Sequence, residues 1–331
     1  MSDLLRAGVI GLGQMGRHHV RVLRSLPDVQ LVGVADPLGD EARVAGDVPV
    51  LADLAGLLAL DLDLCVVATP TDVHEELGLE LAAAGVATLI EKPLAADSAA
   101  GLRLVEAFGQ AGVPAAVGHI ERFNAATQAM KERLSEGSLG VVYQVVTSRQ
   151  GPFPGRVRDV GVVKDLATHD LDLTEWMVGS PYVTVAARVA RRTGRPHEDL
   201  VVVVGTLADG TITNHLVNWL SPVKERRIVV SGSEGCLSAD TLTADLTFNA
   251  NGQVRAVWDD ISRFRGVSEG DMIRYALDKP EPLLVELEQF TKAARGEPGS
   301  VVTLSEGLRT LRVAESVLAS AASGEVVVVA P

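Results

Sequence analysis

LRAGVIGLGQMG, residues 5–16, joins a short apolar run to three glycines at the spacing GxGxxG. A helical pattern follows directly, so the stretch is typical of a strand, a tight turn and a helix. In such a turn Gly11 permits the bend, Gly13 lets the backbone approach a pyrophosphate, and Gly16 lets the helix pack on the strand. Free N–H groups at the helix N-terminus favour an anion. The spacing alone is a weak signal, but it marks a candidate phosphate-binding turn that also includes Leu12, Gln14 and Met15.

Asp36 strengthens this interpretation. It lies twenty residues beyond Gly16, after the next apolar run, Val29–Ala35. A carboxylate at this place can hold the ribose hydroxyls of a dinucleotide. The same carboxylate repels a 2′-phosphate, and Pro37 and Leu38 offer no compensating cation, so NAD is favoured over NADP. The alternative is an ordinary turn-forming aspartate at a strand end.

Short apolar runs alternate with helical segments up to about residue 119. This alternation predicts a parallel, doubly wound α/β sheet, because parallel strands need crossover helices. We assign residues 1–120 to this dinucleotide-binding Rossmann domain. The predicted strands are Leu4–Ile10, Val29–Ala35, Leu62–Ala68, Val86–Glu91 and Val113–Gly118.

The pattern changes after residue 120. A helix is expected from about Asp165 to Val178, and β-branched runs broken by turn residues over 182–260 predict an antiparallel meander. Two helices close the chain, and Thr303 with Glu306 forms a capping box for the second. We therefore assign residues 121–331 to a second, α+β domain for substrate binding and oligomerisation.

Composition excludes several classes of protein. The chain has 331 residues, 47% of them apolar, and a formal net charge of −13, which disfavours binding to nucleic acid or to an anionic membrane. The two cysteines lie far apart and without partners at metal-ligand or redox spacing, as expected in a reducing cytoplasm. Neither a signal-peptide pattern nor a membrane-spanning apolar run is present. We expect a cytoplasmic protein.

Thr69 and Pro70 follow another predicted strand, and His74 lies four residues beyond Pro70. Ligands of doubly wound sheets bind outside the carboxyl ends of the strands, so these residues are candidates for the cofactor wall. The alternative is that Thr69-Pro70 simply begins a helix and that His74 is a packing or solvated histidine.

Glu91-Lys92-Pro93 ends a further strand at the same edge. A lysine there can bind a substrate oxygen beside the nicotinamide, and we count Glu91 and Lys92 among the cofactor-contacting residues. An X-Pro bond can also adopt cis, which would fix the direction of the lysine. The alternative is a surface lysine before a helix.

Asp165, His169, Asp172 and Trp176 fall on one stripe if their segment is helical. A histidine flanked by carboxylates has a fixed tautomer and a raised proton affinity, which suits it to accept a proton from a hydroxyl. The alternative is a polar helix face whose acids complement the helix dipole. A metal site is not expected, because no second histidine or cysteine stands at ligand spacing nearby.

Taken in order, GLGQMG, Asp36, TPTDVH, EKP and DLATHDLD resemble the Gfo/Idh/MocA family of NAD(P)-dependent sugar and cyclitol oxidoreductases. The resemblance covers nearly the whole chain and implies a C-terminal domain with an open, mostly antiparallel sheet that forms the substrate pocket. It also implies a homodimer or homotetramer. The EKP lysine of the family corresponds to Lys92, and its acidic-xxx-histidine pair to Asp165 and His169. His169 is then expected to exchange the hydroxyl proton while Lys92 binds the same oxygen, although an exchange of these two roles stays open.

Three segments, 118–124, 149–161 and 221–227, are similar to a branch that oxidises UDP-linked amino sugars at the 3-position. The stretch 149–158 has three arginines and no acid, so it is a candidate receptor for a diphosphate or a carboxylate. The alternative is a mobile loop whose arginines pair with acidic neighbours. The candidate substrate residues are Arg122, Asn124, Arg149, Arg156, Arg158 and Asp172.

Two other functions stay open at this point. The chain could keep the fold and cofactor but act on a free sugar or cyclitol, as many relatives do. It could also be a dinucleotide-sensing regulator without turnover, although Lys92, Asp165 and His169 together argue against that.

Overall fold

A computed structural model of the chain describes residues 4–155, 160–252 and 268–330. By its internal contacts the chain divides into two compact units. The first unit combines residues 1–120 with 281–312, and the second combines 121–280 with 313–331.

The first unit is built on a six-stranded parallel sheet in the order β3-β2-β1-β4-β5-β6. This order is that of a dinucleotide-binding Rossmann fold, so the predicted fold class is confirmed. All five predicted strands form, and a two-residue sixth strand joins them at one edge. The strands are β1 Leu5–Ile10, β2 Val29–Ala35, β3 Val50–Leu51, β4 Leu64–Val67, β5 Ala87–Glu91 and β6 Ala115–Gly118.

Helices connect these strands and cover the sheet. Apolar side chains of the central strands, such as Val9 and Leu89, are fully buried, and a contiguous apolar cluster of this kind is the main stabilising feature of a unit. The helices of the first unit are α1 Gln14–Leu23, α2 Leu54–Leu58, α3 His74–Ala83, α4 Ser98–Ala111 and α7 Pro282–Ala294.

Helix α7 packs into the first unit, although the sequence placed all of 121–331 in the second domain. Leu283, Leu287 and Phe290 lie one helical turn apart and are buried in the same core as the strands of the Rossmann sheet. This burial explains the difference from the sequence-based boundary, because helical periodicity does not reveal which core a helix joins. Helix α8, Leu304–Ser323, contributes residues to both units.

The predicted capping box is present at the start of α8. The backbone N–H of Thr303 donates to Glu306 Oε2 at 2.9 Å, and the N–H of Glu306 donates to Thr303 Oγ1 at 3.2 Å. Two backbone donors at the helix start are thereby satisfied.

The second unit contains a nine-stranded sheet in the order β14-β13-β12-β11-β7-β10-β9-β8-β15. Every pairing is antiparallel except that of β7 with β10, so the predicted mostly antiparallel sheet is confirmed. The strands are β7 Val142–Pro152, β8 Tyr182–Ala190, β9 Leu200–Leu207, β10 Ile212–Asn218, β11 Leu220–Gly232, β12 Gly235–Asp240, β13 Asp245–Gly252, β14 Ser268–Arg274 and β15 Val327–Val328.

The predicted meander is interrupted in its middle. Strands β10 and β11 follow each other in the chain but do not pair, because β7 lies between them. Part of the expected meander, residues 253–260, lies outside the described residues.

Two helices of the second unit, α5 Ala125–Ser135 and α6 Thr168–Val178, contribute to its apolar cores together with the inward-facing residues of the sheet. The expected helix from Asp165 begins differently, because Val163–Ala167 forms a π-helical turn before α6. None of the helices among the described residues is both long and apolar enough to cross a lipid bilayer.

Candidate active site

The glycine turn after β1 has the geometry of a phosphate-binding turn. Gly11 has φ +91°, and a Cβ placed there would lie 2.5 Å from the carbonyl oxygen of Ala68. A Cβ on Gly16 would lie 1.8 Å from the carbonyl oxygen of Gly11. A Cβ on Gly13, in contrast, would meet nothing within 4 Å. The fold therefore requires two of the glycines for its own packing, whereas Gly13 keeps open a space that fits a pyrophosphate at the start of α1.

Asp36 lies at the end of β2 and is tied to this turn. Its Oδ2 accepts a hydrogen bond from the N–H of Leu12 at 2.7 Å, and its Oδ1 accepts one from the N–H of Leu38 at 2.8 Å. A carboxylate has about four acceptor positions, so both oxygens can still accept ribose hydroxyls. The side chain thus fits the predicted dinucleotide contact and also holds the turn in shape.

His74 joins two strand ends from within the unit. It is buried, with Nδ1 at 3.0 Å from the carbonyl oxygen of Pro93 and Nε2 at 3.0 Å from that of Thr69. Burial lowers the pKa of His74, although the two carbonyl oxygens oppose this effect. These contacts favour the packing alternative for His74, which links the turns after β4 and β5. Pro70 is exposed at the same edge.

Glu91 forms hydrogen bonds within its own unit, and its contact with the cofactor stays a prediction. Its Oε1 lies 2.8 Å from Nε2 of His19, and its Oε2 accepts a hydrogen bond from the N–H of Lys92 at 3.2 Å. Burial raises the pKa of Glu91, but the hydrogen bond and charge of His19, with the charge of Lys92, outweigh it and place that pKa below its ordinary value. Through this hydrogen bond the Glu91 carboxylate holds the backbone at Lys92. The Lys92–Pro93 bond is cis.

Sequence reasoning missed His19. The side chain is fully buried in α1 and forms the partner of Glu91. The only signal in the sequence is the pair His18-His19 after the last glycine of the motif, and nothing there distinguishes the buried histidine from its exposed neighbour.

In the second unit, Asp165 lies in the π-helical turn and His169 in the first turn of α6. Both side chains are largely buried. A π turn is uncommon and often occurs at functional sites. The local geometry therefore places the acid and the histidine of the predicted pair on consecutive turns of one helical segment.

Arg149 is bound by two carboxylates of its own unit. Its Nη1 donates to Glu121 Oε1 at 2.8 Å and its Nε donates to Asp170 Oδ1 at 3.0 Å, while its side chain is only 3% exposed. Burial lowers the pKa of Arg149, but Asp170 and Glu121 raise it further, so the net direction is upward. These contacts favour the alternative of an internal ion pair, and the expectation that Arg149 receives an anionic substrate group stays a prediction.

Arg122 and Asp172 likewise form an internal pair. Nε and Nη2 of Arg122 donate to the two carboxylate oxygens of Asp172 at 2.8 and 2.7 Å, and the guanidinium lies 5.6 Å from the ring centre of Trp176. The two side chains are 8% and 1% exposed. A bidentate pair this buried stabilises the unit, and the contact of both residues with substrate stays a prediction.

Asn124 is also used within the unit. Its Oδ1 accepts a hydrogen bond from the N–H of Ala126 and so caps α5, while its Nδ2 donates to the carbonyl oxygen of Thr241. Asn124 therefore caps the helix, and its contact with substrate stays a prediction. Arg156 and Arg158 lie outside the described residues.

The predicted site residues fall into two sets. The glycine turn, Asp36, Thr69 and Lys92 lie at the carboxyl edge of the Rossmann sheet in the first unit, whereas Asp165 and His169 belong to the second unit. No group of three or more histidine, cysteine, aspartate or glutamate side chains in the described parts of the chain is arranged to hold a metal ion.

Known proteins resemble the chain over both units. It is 30% identical over 293 residues to UDP-N-acetylglucosamine 3-dehydrogenase of Acidithiobacillus ferrooxidans, a match that covers 87% of this chain and 88% of that protein. A solved structure of that organism's UDP-N-acetylglucosamine 3-dehydrogenase GnnA has a TM-score of 0.84 at 28% identity and covers 96% of this chain and 98% of its own.

Two further proteins are similar. Inositol 2-dehydrogenase 2 of Saccharopolyspora erythraea is 34% identical over 205 residues, which is 59% of this chain and 60% of that protein, so the match spans less than two thirds of that relative. GenD2 from gentamicin A biosynthesis, solved in complex with NAD, has a TM-score of 0.82 at 27% identity and covers 100% of this chain and 98% of its own.

Family models match both parts of the chain. Residues 5–119 match an oxidoreductase family with an NAD-binding Rossmann fold, and residues 127–238 match the GFO/IDH/MocA C-terminal domain. The glycine turn and Asp36 agree with the first match, since they have the geometry that a dinucleotide requires. The chain therefore belongs to the GFO/IDH/MocA family of oxidoreductases, with an NAD-binding Rossmann domain at its N-terminal end.

Proposed function

We propose that the protein transfers a hydride between NAD and a ring carbon that bears a secondary hydroxyl, with the 3-position of a UDP-linked amino sugar as substrate. Its family makes it an NAD-dependent oxidoreductase of sugars or polyols. The observation that carries the finer proposal is the match to a UDP-N-acetylglucosamine 3-dehydrogenase, which extends over 87% of this chain and so includes both units.

Three side chains carry the proposed chemistry. Bound NAD supplies the acceptor for the hydride that leaves the substrate carbon. His169 accepts the hydroxyl proton at a ring nitrogen, Lys92 binds the same oxygen through its ammonium, and Asp165 orients the imidazole. The substrate thereby loses one hydride and one proton and becomes a ketone.

The local structure supports these assignments. The backbone of Lys92 is held by Glu91, whose carboxylate is itself held by His19. A catalytic group needs such support because small misplacements reduce rates strongly. His169 follows the π turn that carries Asp165, so the base and its acidic partner lie on one continuous helical segment.

The test measures NADH formation by purified protein with UDP-N-acetylglucosamine, other UDP-sugars, inositol and neutral sugars. Lys92→Ala and His169→Ala should each reduce kcat by about a hundredfold or more while the Kd for NAD changes little. The matched controls are Lys292→Ala, on the exposed face of α7, and His197→Ala, a partly exposed histidine of the second unit. Normal turnover in either site variant would contradict the assigned roles.

A cyclitol is the second candidate substrate class, favoured by 34% identity to an inositol 2-dehydrogenase over 205 residues. The same panel distinguishes the candidates. Turnover of inositol with a higher kcat/KM than any UDP-sugar would replace the nucleotide-sugar assignment. Absence of hydride transfer with every sugar and cyclitol would instead favour a dinucleotide-sensing regulator.

A further inference from the structure

The π-helical turn that carries Asp165 is held at its start by a residue from a later part of the second unit. Glu198 lies in the connection between β8 and β9, 35 residues after Val163. Its Oε1 accepts a hydrogen bond from the backbone N–H of Val163 at 3.1 Å, and its carbonyl oxygen accepts one from the N–H of Val162 at 3.0 Å. One residue therefore holds two consecutive backbone donors at the start of the turn.

The chain leaves room for this carboxyl group at Gly161. A Cβ built on Gly161 would lie 2.0 Å from Oε1 and 2.2 Å from Oε2 of Glu198, so the carboxyl group occupies the place of a side chain at this position. The carbonyl oxygen of Gly161 in turn accepts a hydrogen bond from the N–H of Asp165 at 3.0 Å. Glu198 is only 6% exposed. The buried carboxyl group is thereby packed against the residue that bonds the backbone of Asp165.

The connection that presents Glu198 is itself held in place by the next residue. Oδ2 of Asp199 accepts hydrogen bonds from the N–H groups of Arg192 and Thr193, each at 2.8 Å. The carbonyl oxygen of Asp199 accepts one from the N–H of Trp219 at 2.9 Å. A group that orients another segment needs such support behind it, because its own position limits the precision it can transmit.

A contact at the start of the turn can decide which kind of helix forms there. A π-helical turn has backbone hydrogen bonds that span five residues, and such turns are rare beside the α-helix, whose bonds span four. The first N–H groups of a helical segment also have no acceptor within the segment, so an oxygen from outside satisfies them. Glu198 supplies that oxygen to Val163, the first residue of the π turn.

We propose that Glu198 is a positioning residue for the reaction: by holding Val163 it fixes the π-helical turn, and with it the place of Asp165 relative to His169. This inference rests on the proposed function, which gives Asp165 and His169 their roles. Loss of Oε1 lets the segment approach the α-helical spacing, which rotates Asp165 about the helix axis. A displaced acid orients the imidazole less well, and small misplacements of catalytic groups reduce rates strongly.

The ring of His169 gives a readout that needs no turnover. In the full chain, labelled with isotopic histidine and saturated with NAD, its Cε1–H resonance is identified by its absence from the NMR spectrum of His169→Gln. Glu198→Ala removes the acceptor, Glu198→Asp withdraws it, and Glu198→Gln keeps an oxygen at the same place. Glu175→Ala is the matched control, because Oε1 of Glu175 also accepts a backbone hydrogen bond, from Tyr182 at 2.8 Å, but lies toward the far end of α6.

We expect the His169 resonance to move in Glu198→Ala and Glu198→Asp, and to keep its wild-type position in Glu198→Gln and Glu175→Ala. Glu198→Asp, the milder change, keeps the test decisive if Glu198→Ala does not fold. With a substrate found in the sugar panel, kcat should fall about tenfold or more in Glu198→Ala and recover in Glu198→Gln, while the Kd for NAD stays as in wild type.

An unmoved resonance in the folded Glu198→Ala and Glu198→Asp proteins would overturn the positioning role. An equal displacement in Glu175→Ala would overturn it as well, because any lost backbone contact would then have the same effect. Since the resonance is read without substrate, a failed sugar panel would contradict the proposed function alone and leave this result standing.

Discussion

Glu286 offers a stringent test of the core of the first unit. It lies on α7 among Leu283, Leu287 and Phe290, and only 2% of it is exposed. Neither carboxyl oxygen makes a hydrogen bond to any residue that the structure describes. Burial, with the negative charge of Glu91 as the second cause, raises the pKa of Glu286 well above its ordinary value. The folded protein therefore keeps this carboxyl protonated at pH values where the unfolded chain ionises it.

A raised pKa in the folded state fixes the sign of the pH dependence. The stabilising contribution of the protonated carboxyl is fully present below its ordinary pKa of 4.5. It is lost as the pH rises toward the folded-state pKa, because unfolding then releases a proton. Each pH unit in this interval lowers the free energy of unfolding by about 1.4 kcal/mol. For a unit of roughly 150 residues, that corresponds to a decrease in Tm of about 3–6 °C.

Glu286→Gln removes the titration and keeps the shape of the side chain. Between about pH 5 and pH 6 the wild-type Tm should fall by about 3–6 °C relative to the Tm of this variant. Thermal denaturation followed by circular dichroism in matched buffers measures the difference. Glu288→Gln, on the exposed side of the same helix, changes the net charge equally and serves as the control. Parallel pH profiles for wild type and Glu286→Gln would refute the reasoning, since no buried proton would then be released.

Substitutions at four other positions test the remaining parts of the two units. Gly13→Ala should leave Tm within about 1 °C of wild type yet weaken NAD binding. Gly16→Ala should lower Tm and abolish NAD binding, because its Cβ would overlap the turn. Calorimetry measures NAD binding and thermal denaturation measures Tm for both variants. Asp172→Asn should lower the free energy of unfolding, measured by urea denaturation, by about 3 kcal/mol, since it breaks a buried ion pair with Arg122. An unchanged denaturation midpoint would contradict that pairing. His19→Leu should lower both Tm and kcat, while His19→Gln, which retains a donor toward its carboxylate partner, should recover most of each.

Much of the first unit could be predicted from the sequence because its determinants are local. The glycine spacing, the alternation of strands and helices, and Asp36 all act within a few residues of where they are read. The strand Val50–Leu51 escaped prediction because two residues are too short to show a period. The membership of α7 also escaped, because its apolar stripe would fit either core.

The second unit was predicted less completely because its order depends on distant pairings. The β-branched runs identify the strands, but nothing in them indicates that β7 lies between β10 and β11. Such non-local contacts join segments far apart in the chain and leave no periodic signal. The helical stripe through His169 was recognised, whereas the π turn before it was not, because both helix types show similar spacing over five residues.

The arginines show why substrate contacts are harder to predict than cofactor contacts. Arg149 and Arg226 are the same residue type, lie opposite each other in one sheet, and extend toward the same face. Glu121 and Asp170 neutralise the first, and they come from segments 28 and 21 residues away in the chain. The donors of a guanidinium that an internal carboxylate already occupies are not open to a ligand, because a buried charge is stabilised by a partner that is desolvated with it. The folded arrangement of carboxylates, which a run of basic residues does not reveal, therefore decides which donors of each arginine stay open to a substrate.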